Sequence, residues 1–203
     1  MDDASAWVSR AFDLARRYEV WDYSEKNIAM LQSQGANRVR LFQIGHHPRL
    51  ARIARDVPQD IDVLFYGSFN PRRRAVLGQL RQAGCVVKAV FGVYGAERDA
   101  LIARSKLVLN LHFYQSKIFE VVRVFYLLSN ARAVVAERGP DTTIDPHYLP
   151  GICAVEYADL AASCLQLLSD DSARQQLETR ALDTMSQHPQ HCYTAAMFEA
   201  AAG

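Results

Sequence analysis

The segment from Ile61 to Glu137 constrains the fold most, because short, largely apolar runs alternate there with helical patterns. Runs of strand length cover 61–66, 85–91, 106–111 and 132–137, and helical patterns cover 71–83, 96–105 and 117–129. Apolar runs of this kind are typical of strands that are covered on both faces. The alternation therefore predicts an α/β fold, a Rossmann-like parallel sheet with helices on both faces.

The flanking segments predict further elements of the same kinds. Before Ile61 we expect a helix over 5–18, a strand over 19–23, a helix over 24–31, a strand over 39–44 and a short helix before Pro58. After 137 we expect a strand over 152–157 and helices over 158–168, 173–187 and 194–201. We interpret 1–60 as an N-terminal extension and linker-like segment and 61–203 as the Rossmann-like domain, together one structural unit. Trp7, Val8 and Phe12 predict an apolar helix face that packs on its own domain or, alternatively, forms an interface.

Composition excludes several classes of protein. The net charge of +1 argues against binding to nucleic acid or membrane surfaces through bulk charge. No apolar run approaches the ~18 residues of a membrane span, and the acidic start does not resemble a signal peptide. The four scattered cysteines predict buried, reduced thiols and hence a cytoplasmic protein.

The first candidate cluster is the turn Gly-Ser-Phe-Asn-Pro-Arg-Arg-Arg after the run 61–66. A buried strand that enters a helix through a glycine turn presents backbone N–H groups, which favour an anion at the helix N-terminus. Gly67 and Ser68 are the candidates for this turn, and Arg72 or Arg73 could add bidentate hydrogen bonds to a diphosphate. The alternative is that these arginines form a solvated surface.

The second cluster is Phe91-Gly92-Val93-Tyr94-Gly95, which follows the next predicted strand. Glycines allow close approach of a ligand, and the rings of Phe91 and Tyr94 could lie beside a nucleotide base, with Gly95 at the turn. The alternative is an ordinary β-to-α turn.

The third cluster follows the strand over 106–111 and contains His112, Lys117, Glu120 and Arg123. Lys117 and Arg123 could neutralise phosphates, and Glu120 could accept hydrogen bonds from ribose or sugar hydroxyls. The alternative is a Glu120–Arg123 pair on the helix surface beside a histidine with ordinary structural partners.

Motifs of several other sites are absent from the sequence. His46, His47 and His112 lack a further ligand at metal-site spacing, so we expect no metal. There is no nucleophile elbow, no Walker lysine loop and no GxGxxG fingerprint, and we expect no cofactor.

Taken together, "DVLFYGSFNPRRRAVLGQLRQAG" and "VFGVYGAERDALIARSKLVLNLHFYQSKIFEVVRVFYLLSNARAVVAERG" resemble the nucleotide-sugar-binding C-terminal half of GT-B glycosyltransferases of the "glycosyl transferases group 1" type. The upstream "VWDYSEKNIAMLQSQG" is similar to the segment that joins the two halves in such proteins. The resemblance covers about residues 19–160. It implies one half of a GT-B fold that holds a nucleotide-diphosphate sugar as donor substrate, while the other half holds the acceptor.

The resemblance also implies roles for the three clusters. It places Gly67 and Ser68 at the diphosphate loop, Arg72 near the phosphates and the turn 91–95 by the base. It places Lys117 and Glu120, the predicted catalytic residues, near the diphosphate, ribose or transferred sugar.

The sequence departs from the family pattern in two ways. The second glutamate of many retaining members falls near Tyr126 here, and Asn130-Ala131 replaces the usual Cys-Gly. Residues 1–60 are too few for a complete acceptor domain. Two functions therefore stay open: a glycosyltransferase whose acceptor half comes from a partner chain, a dimer mate or a missing segment, and a non-catalytic module that binds a nucleotide or a protein.

Overall fold

The computed structural model describes residues 3–113, 119–140 and 142–202. Its helices are α1 (Asp3–Arg17), α2 (Glu25–Ser33), α3 (Pro71–Gln82), α4 (Gly95–Ala103), α5 (Val121–Ser129), α6 (Leu160–Ser169), α7 (Asp171–Ser186) and α8 (Gln190–Ala202). Its strands are β1 (Val20–Asp22), β2 (Val39–Leu41), β3 (Ile61–Tyr66), β4 (Val87–Val90), β5 (Ser105–Asn110), β6 (Ala133–Glu137) and β7 (Cys153–Val155). Short 3-10 helices cover Pro48–Leu50, Pro146–Gly151 and Tyr157–Asp159. Helices and strands alternate as the sequence predicted.

The five strands β3 to β7 form one parallel sheet in the order β4-β3-β5-β6-β7. The chain moves from β3 to β4 in one direction and then crosses back to β5 and β6 in the other. Because parallel crossovers are right-handed, α3 covers one face of the sheet and α4 and α5 cover the other. This confirms the predicted α/β sheet and places a topological switch point between β3 and β5, where ligands of such sheets bind.

Apolar side chains fill both faces of this sheet. On one face Val63, Phe65, Leu107 and Leu109 form a cluster with buried residues of α3, α6 and α7. Since side chains alternate along a strand, the buried Leu64 of β3 and Val108 of β5 face the opposite side. Burial on both faces explains why these strands lack the polar alternation of a half-exposed sheet.

Two compact units divide the chain: residues 1–45 with 190–203, and residues 46–189. In the first, β1 and β2 pair in parallel, and the Trp21 ring stacks on Phe42 at 5.5 Å and meets the edge of Phe198 at 5.7 Å. Aromatic packing thus holds α8 to the N-terminal strands. The boundary lies at 45/46 instead of the expected 60/61, and α8 joins the first unit instead of the Rossmann-like one.

Some predicted features differ from the structure. The predicted strand 39–44 ends at Leu41, and the predicted helix 117–129 begins at Val121, because Glu120 has a non-helical backbone. Trp7 is 72% exposed, which differs from the expected packing of that helix face. Cys192 is exposed, although we expected buried thiols. Among the helices of the described segments, none combines the length and the apolar character that a membrane crossing requires.

Candidate functional site

Two loops meet at the switch point, one after β3 and one after β5. Gly67 follows β3 with a φ of +145°, a conformation that favours glycine. Asn70 caps α3, because its side-chain oxygen accepts the Arg73 N–H at 2.8 Å. The Asn70 amide nitrogen also donates to the Phe113 carbonyl at 3.2 Å, which joins the first loop to the second.

Arg73 fastens these two loops from within. Its guanidinium donates to the carbonyls of Ser68 at 2.8 Å and His112 at 3.3 Å, and also to the carbonyl of Leu111. The side chain is buried, and burial lowers the pKa of the guanidinium. Arg73 therefore has a structural role here, since its donors are directed to the protein's own carbonyls. Direct contact of Arg73 with a diphosphate stays a prediction.

Arg72 forms a fork with Glu137 at the end of β6. Its Nη1 donates to Glu137 Oε2 at 2.6 Å, and its Nη2 donates to Oε1. The guanidinium also lies over the ring of Tyr157, 3.7 Å from the ring centre, while the Tyr157 hydroxyl donates to the Arg72 carbonyl at 2.8 Å. The Arg72 side chain is 36% exposed, so it reaches the surface at the edge of the sheet where the strands have their carboxyl ends, here called the rim.

Glu137 connects this fork to the loop after β5. Its Oε2 accepts the backbone N–H of His112 at 3.1 Å, and the His112 ring contacts the Thr142 hydroxyl at 3.2 Å. Burial alone would raise the pKa of Glu137, but the Arg72 fork and the His112 N–H outweigh burial and lower it. Burial lowers the pKa of His112, which favours its neutral form. His112 is thus buried and hydrogen-bonded within the protein, which agrees with the alternative given for the third cluster, a histidine with ordinary structural partners. Its contact with a ligand stays a prediction.

Besides Arg73, Arg123 also lies next to the glycine turn. Arg123 pairs with Glu120 at 3.1 Å and lies over the Tyr66 ring at 4.8 Å, and the other Glu120 oxygen lies 3.6 Å from Arg73. A Cβ at Gly67 would lie 3.5 Å from Arg123 Nη2 and 3.6 Å from Arg73 Nη1. Two cations therefore share one carboxylate beside Gly67. The predicted Glu120–Arg123 pair is present.

Replacing Gly67 with alanine is expected to lower the free energy of unfolding by about 1–3 kcal/mol, because its φ suits glycine alone. The matched control is Gly78→Ala in α3, where a Cβ meets nothing within 4 Å. Since alanine favours helix, Gly78→Ala is expected to raise stability by about 0.5–1 kcal/mol. Urea denaturation of both variants checks this pair, and equal stability of Gly67→Ala and the parent would contradict it.

Aromatic side chains stand at the end of β4, at the same rim. Phe91 and Tyr94 are 64% and 76% exposed. Gly92 and Gly95 both have positive φ, at +76° and +55°, so glycines do shape this turn. The geometry offers two accessible ring faces to a ligand, and their contact with a base stays a prediction.

Lys117 of the third cluster lies outside the described residues, so its role also stays a prediction. Sequence reasoning missed Glu137, Tyr157 and Thr142. One signal was available for Glu137, because a carboxylate that ends an apolar strand needs a partner if it is buried. In the parts of the chain that the structure describes, no three His, Cys, Asp or Glu side chains are grouped to hold a metal.

No protein-family model matches the chain. Among curated proteins it is 29% identical over 176 residues to "Uncharacterized protein L140" of Acanthamoeba polyphaga mimivirus, which covers 80% of this chain and 56% of that protein. The chain spans about half the length of the curated relatives it matches, 56% and 55% for two of them.

Solved structures give a likeness over nearly the whole chain. HepE of Anabaena, solved in complex with UDP-glucose, has a TM-score of 0.67 at 15% identity, over 96% of this chain and 66% of HepE. TarM has a TM-score of 0.65 at 14% identity, over 98% of this chain and 46% of TarM. Identities this low establish shape alone. The chain has the α/β fold of the GT-B glycosyltransferases, which confirms the fold that its sequence predicted.

Proposed function

We propose that this chain binds a nucleotide-diphosphate sugar at the rim between β3 and β5 and serves as the donor half of a glycosyltransferase. One observation carries the proposal: Gly67 lies beside the guanidiniums of both Arg73 and Arg123, which, in the described part of the chain, share the single carboxylate of Glu120. A glycine turn, a helix N-terminus and an excess of cationic charge at a switch point suit a diphosphate. The fold it shares with HepE, which was solved with UDP-glucose, supports the same class of ligand.

In this proposal the backbone N–H of Ser68 contacts the diphosphate, while Gly67, whose own N–H donates to the Val90 carbonyl at 2.9 Å, allows the ligand to approach the turn closely. Arg72, Arg123 and Lys117 supply positive charge, while Arg73 keeps the two loops together. Donors fixed in this way stabilise the charge that develops on the departing diphosphate, which is the main demand of sugar transfer.

The remaining site residues would select the donor. Phe91, Tyr94 and Gly95 would lie against the base, since exposed rings at the end of β4 can stack on it. Glu120 would accept hydrogen bonds from ribose or sugar hydroxyls, and the one-third exposure of its side chain supports this role. We further propose that the acceptor is held by a partner chain, a second copy or another segment of the protein. The span of about half the curated relatives supports this part.

A second candidate is a non-catalytic module of the same fold. Its support is that rim cations already have partners within the chain, Arg72 with Glu137 and Arg123 with Glu120. A rim that is neutralised internally suits a protein that keeps the fold for protein contacts alone.

Titration calorimetry with UDP, GDP and their sugars separates the two candidates. We expect micromolar binding of at least one of these ligands. We expect this binding to be lost in the double variant Arg72→Ala, Lys117→Ala, because both positively charged side chains pair with the negative diphosphate in the proposal. The matched control is Arg104→Ala, which removes an exposed arginine paired with Asp60 just before β3, at the other end of the sheet. Binding that survives the double variant, or a folded parent that binds none of these ligands, would contradict the donor-half proposal.

A further inference from the structure

Glu137 connects α3 with the loops after β5 and β6. Its carboxylate is 2% exposed, and one oxygen, Oε2, accepts both Arg72 Nη1 at 2.6 Å and the His112 N–H at 3.1 Å. The loop after β6 is tied in as well, since Thr142 contacts the His112 ring and also accepts the Gly139 N–H at 3.1 Å. A displacement of Glu137 would therefore shift the Arg72 side chain of α3 and the loops after β5 and β6.

Arg72 is held on two sides by this arrangement. Glu137 engages one edge of the guanidinium, and the Tyr157 ring covers one face at 3.7 Å. Its remaining N–H groups have no partner among the described residues, and the side chain is 36% exposed. A planar guanidinium fixed along one edge presents its outer N–H groups in one direction, which suits a phosphate.

We propose that Glu137 is a positioning residue, which orients Arg72 and the His112 loop around the diphosphate. The inference rests on the proposed function for the identity of the anion, but the arrangement itself concerns any diphosphate group. It assigns to Glu137 a role opposite to that of a simple counter-ion. A counter-ion weakens anion binding by cancelling the charge of Arg72, whereas a positioning residue strengthens it by fixing the direction of the donors.

The two roles predict opposite signs when Glu137 is replaced. We titrate inorganic pyrophosphate and, separately, UDP and GDP into the full chain and the variant Glu137→Gln. Positioning predicts that affinity falls at least about tenfold, because an amide cannot accept a two-point fork. A counter-ion role predicts tighter binding, since one negative charge leaves the rim. Unchanged or tighter binding overturns the proposal.

Two further variants keep the test sharp. Glu137→Asp retains the charge but withdraws the carboxylate by one methylene, so positioning predicts weaker binding, and unchanged binding overturns it; this variant also decides the matter if Glu137→Gln does not fold. Asp60→Asn is the control, because Asp60 accepts a similar fork from Arg104 just before β3, with one bond of 2.8 Å. It should leave pyrophosphate affinity unchanged.

A double-mutant cycle separates positioning from general loosening of the fold. If Glu137 acts through Arg72, Glu137→Gln has little further effect in an Arg72→Ala background, whereas equal weakening in both backgrounds overturns the proposal. Pyrophosphate binding without nucleotide binding would refute the proposed function and leave this cycle decisive for Glu137. A folded parent that binds neither pyrophosphate nor nucleotide overturns both proposals.

Discussion

Arg73→Met is expected to lower the free energy of unfolding by about 3–5 kcal/mol, more than the other arginine changes proposed here. Methionine fills similar space but donates nothing to the carbonyls of Ser68, Leu111 and His112. Those carbonyls then lose their shared partner in a buried place, and each unpaired group costs about 1–3 kcal/mol. Urea denaturation followed by circular dichroism measures the loss.

The neighbouring Arg74 provides the matched control. It is exposed and lies over the Phe69 ring at 5.2 Å, so Arg74→Met should change stability by less than about 1 kcal/mol. Arg73→Lys should recover only part of the loss, because one ammonium cannot reproduce the planar fork that serves three carbonyls. A stable Arg73→Met variant would show that the two loops hold together without this side chain, and Arg73 would then be free to serve as a ligand.

The sheet could be predicted because its signals are local. Ile61–Tyr66 is largely apolar, Gly67 ends it, and Pro71 suits the first turn of a helix, so β3 and α3 follow from neighbouring residues. The rule that parallel crossovers are right-handed then leaves few arrangements of the strands. The convergence of the turns after β3 and β5 is a consequence of that arrangement.

The side-chain partners at the rim could not be predicted in the same way. Nothing near Arg72 in the sequence indicates that its partner is Glu137, far along the chain at the end of another strand. Arg72 and Arg73 are the same residue type at adjacent positions, yet successive side chains of a helix point in different directions. Arg72 therefore reaches the surface, whereas Arg73 reaches buried carbonyls. The place of α8 was missed for the same reason, since it depends on the contact between Trp21 and Phe198.

Two buried asparagines show how strongly the partners of a polar side chain determine its effect. Asn130 is saturated: its oxygen accepts the N–H groups of Arg52 and Ile53, both at 2.9 Å, and its nitrogen donates to the carbonyls of Leu50 at 2.8 Å and Tyr126 at 2.7 Å. It thereby fixes the segment before β3 to the end of α5.

Asn110 is fully buried at the end of β5, and neither of its amide atoms has a partner among the described residues. Because Leu109 and Leu111 belong to the cluster on the α3 face, Asn110 lies on the opposite face, in the strand next to Tyr66. Tyr66 is itself 9% exposed, and this burial raises the pKa of its hydroxyl to about 12. An unpaired amide in such a place lowers stability.

The same substitution is therefore expected to have opposite effects at the two sites. Asn110→Leu should raise the free energy of unfolding by about 1–3 kcal/mol, because it removes a buried amide that lacks partners. Asn130→Leu should lower it by about 3–5 kcal/mol, because it leaves the buried Ile53 N–H without its acceptor and also removes three further hydrogen bonds, to the Arg52 N–H and to the carbonyls of Leu50 and Tyr126. Thermal and urea denaturation of both variants measure the two signs.

Each outcome for Asn110→Leu has a physical meaning. A stabilised variant that loses UDP-sugar affinity would show that the chain bears the cost of a buried amide at the rim in order to bind its ligand, a trade between stability and function. A stabilised variant with unchanged affinity would exclude Asn110 from the site. Destabilisation would contradict the prediction and imply that buried water supplies the missing hydrogen bonds, since water pairs buried polar groups that the protein leaves unsatisfied.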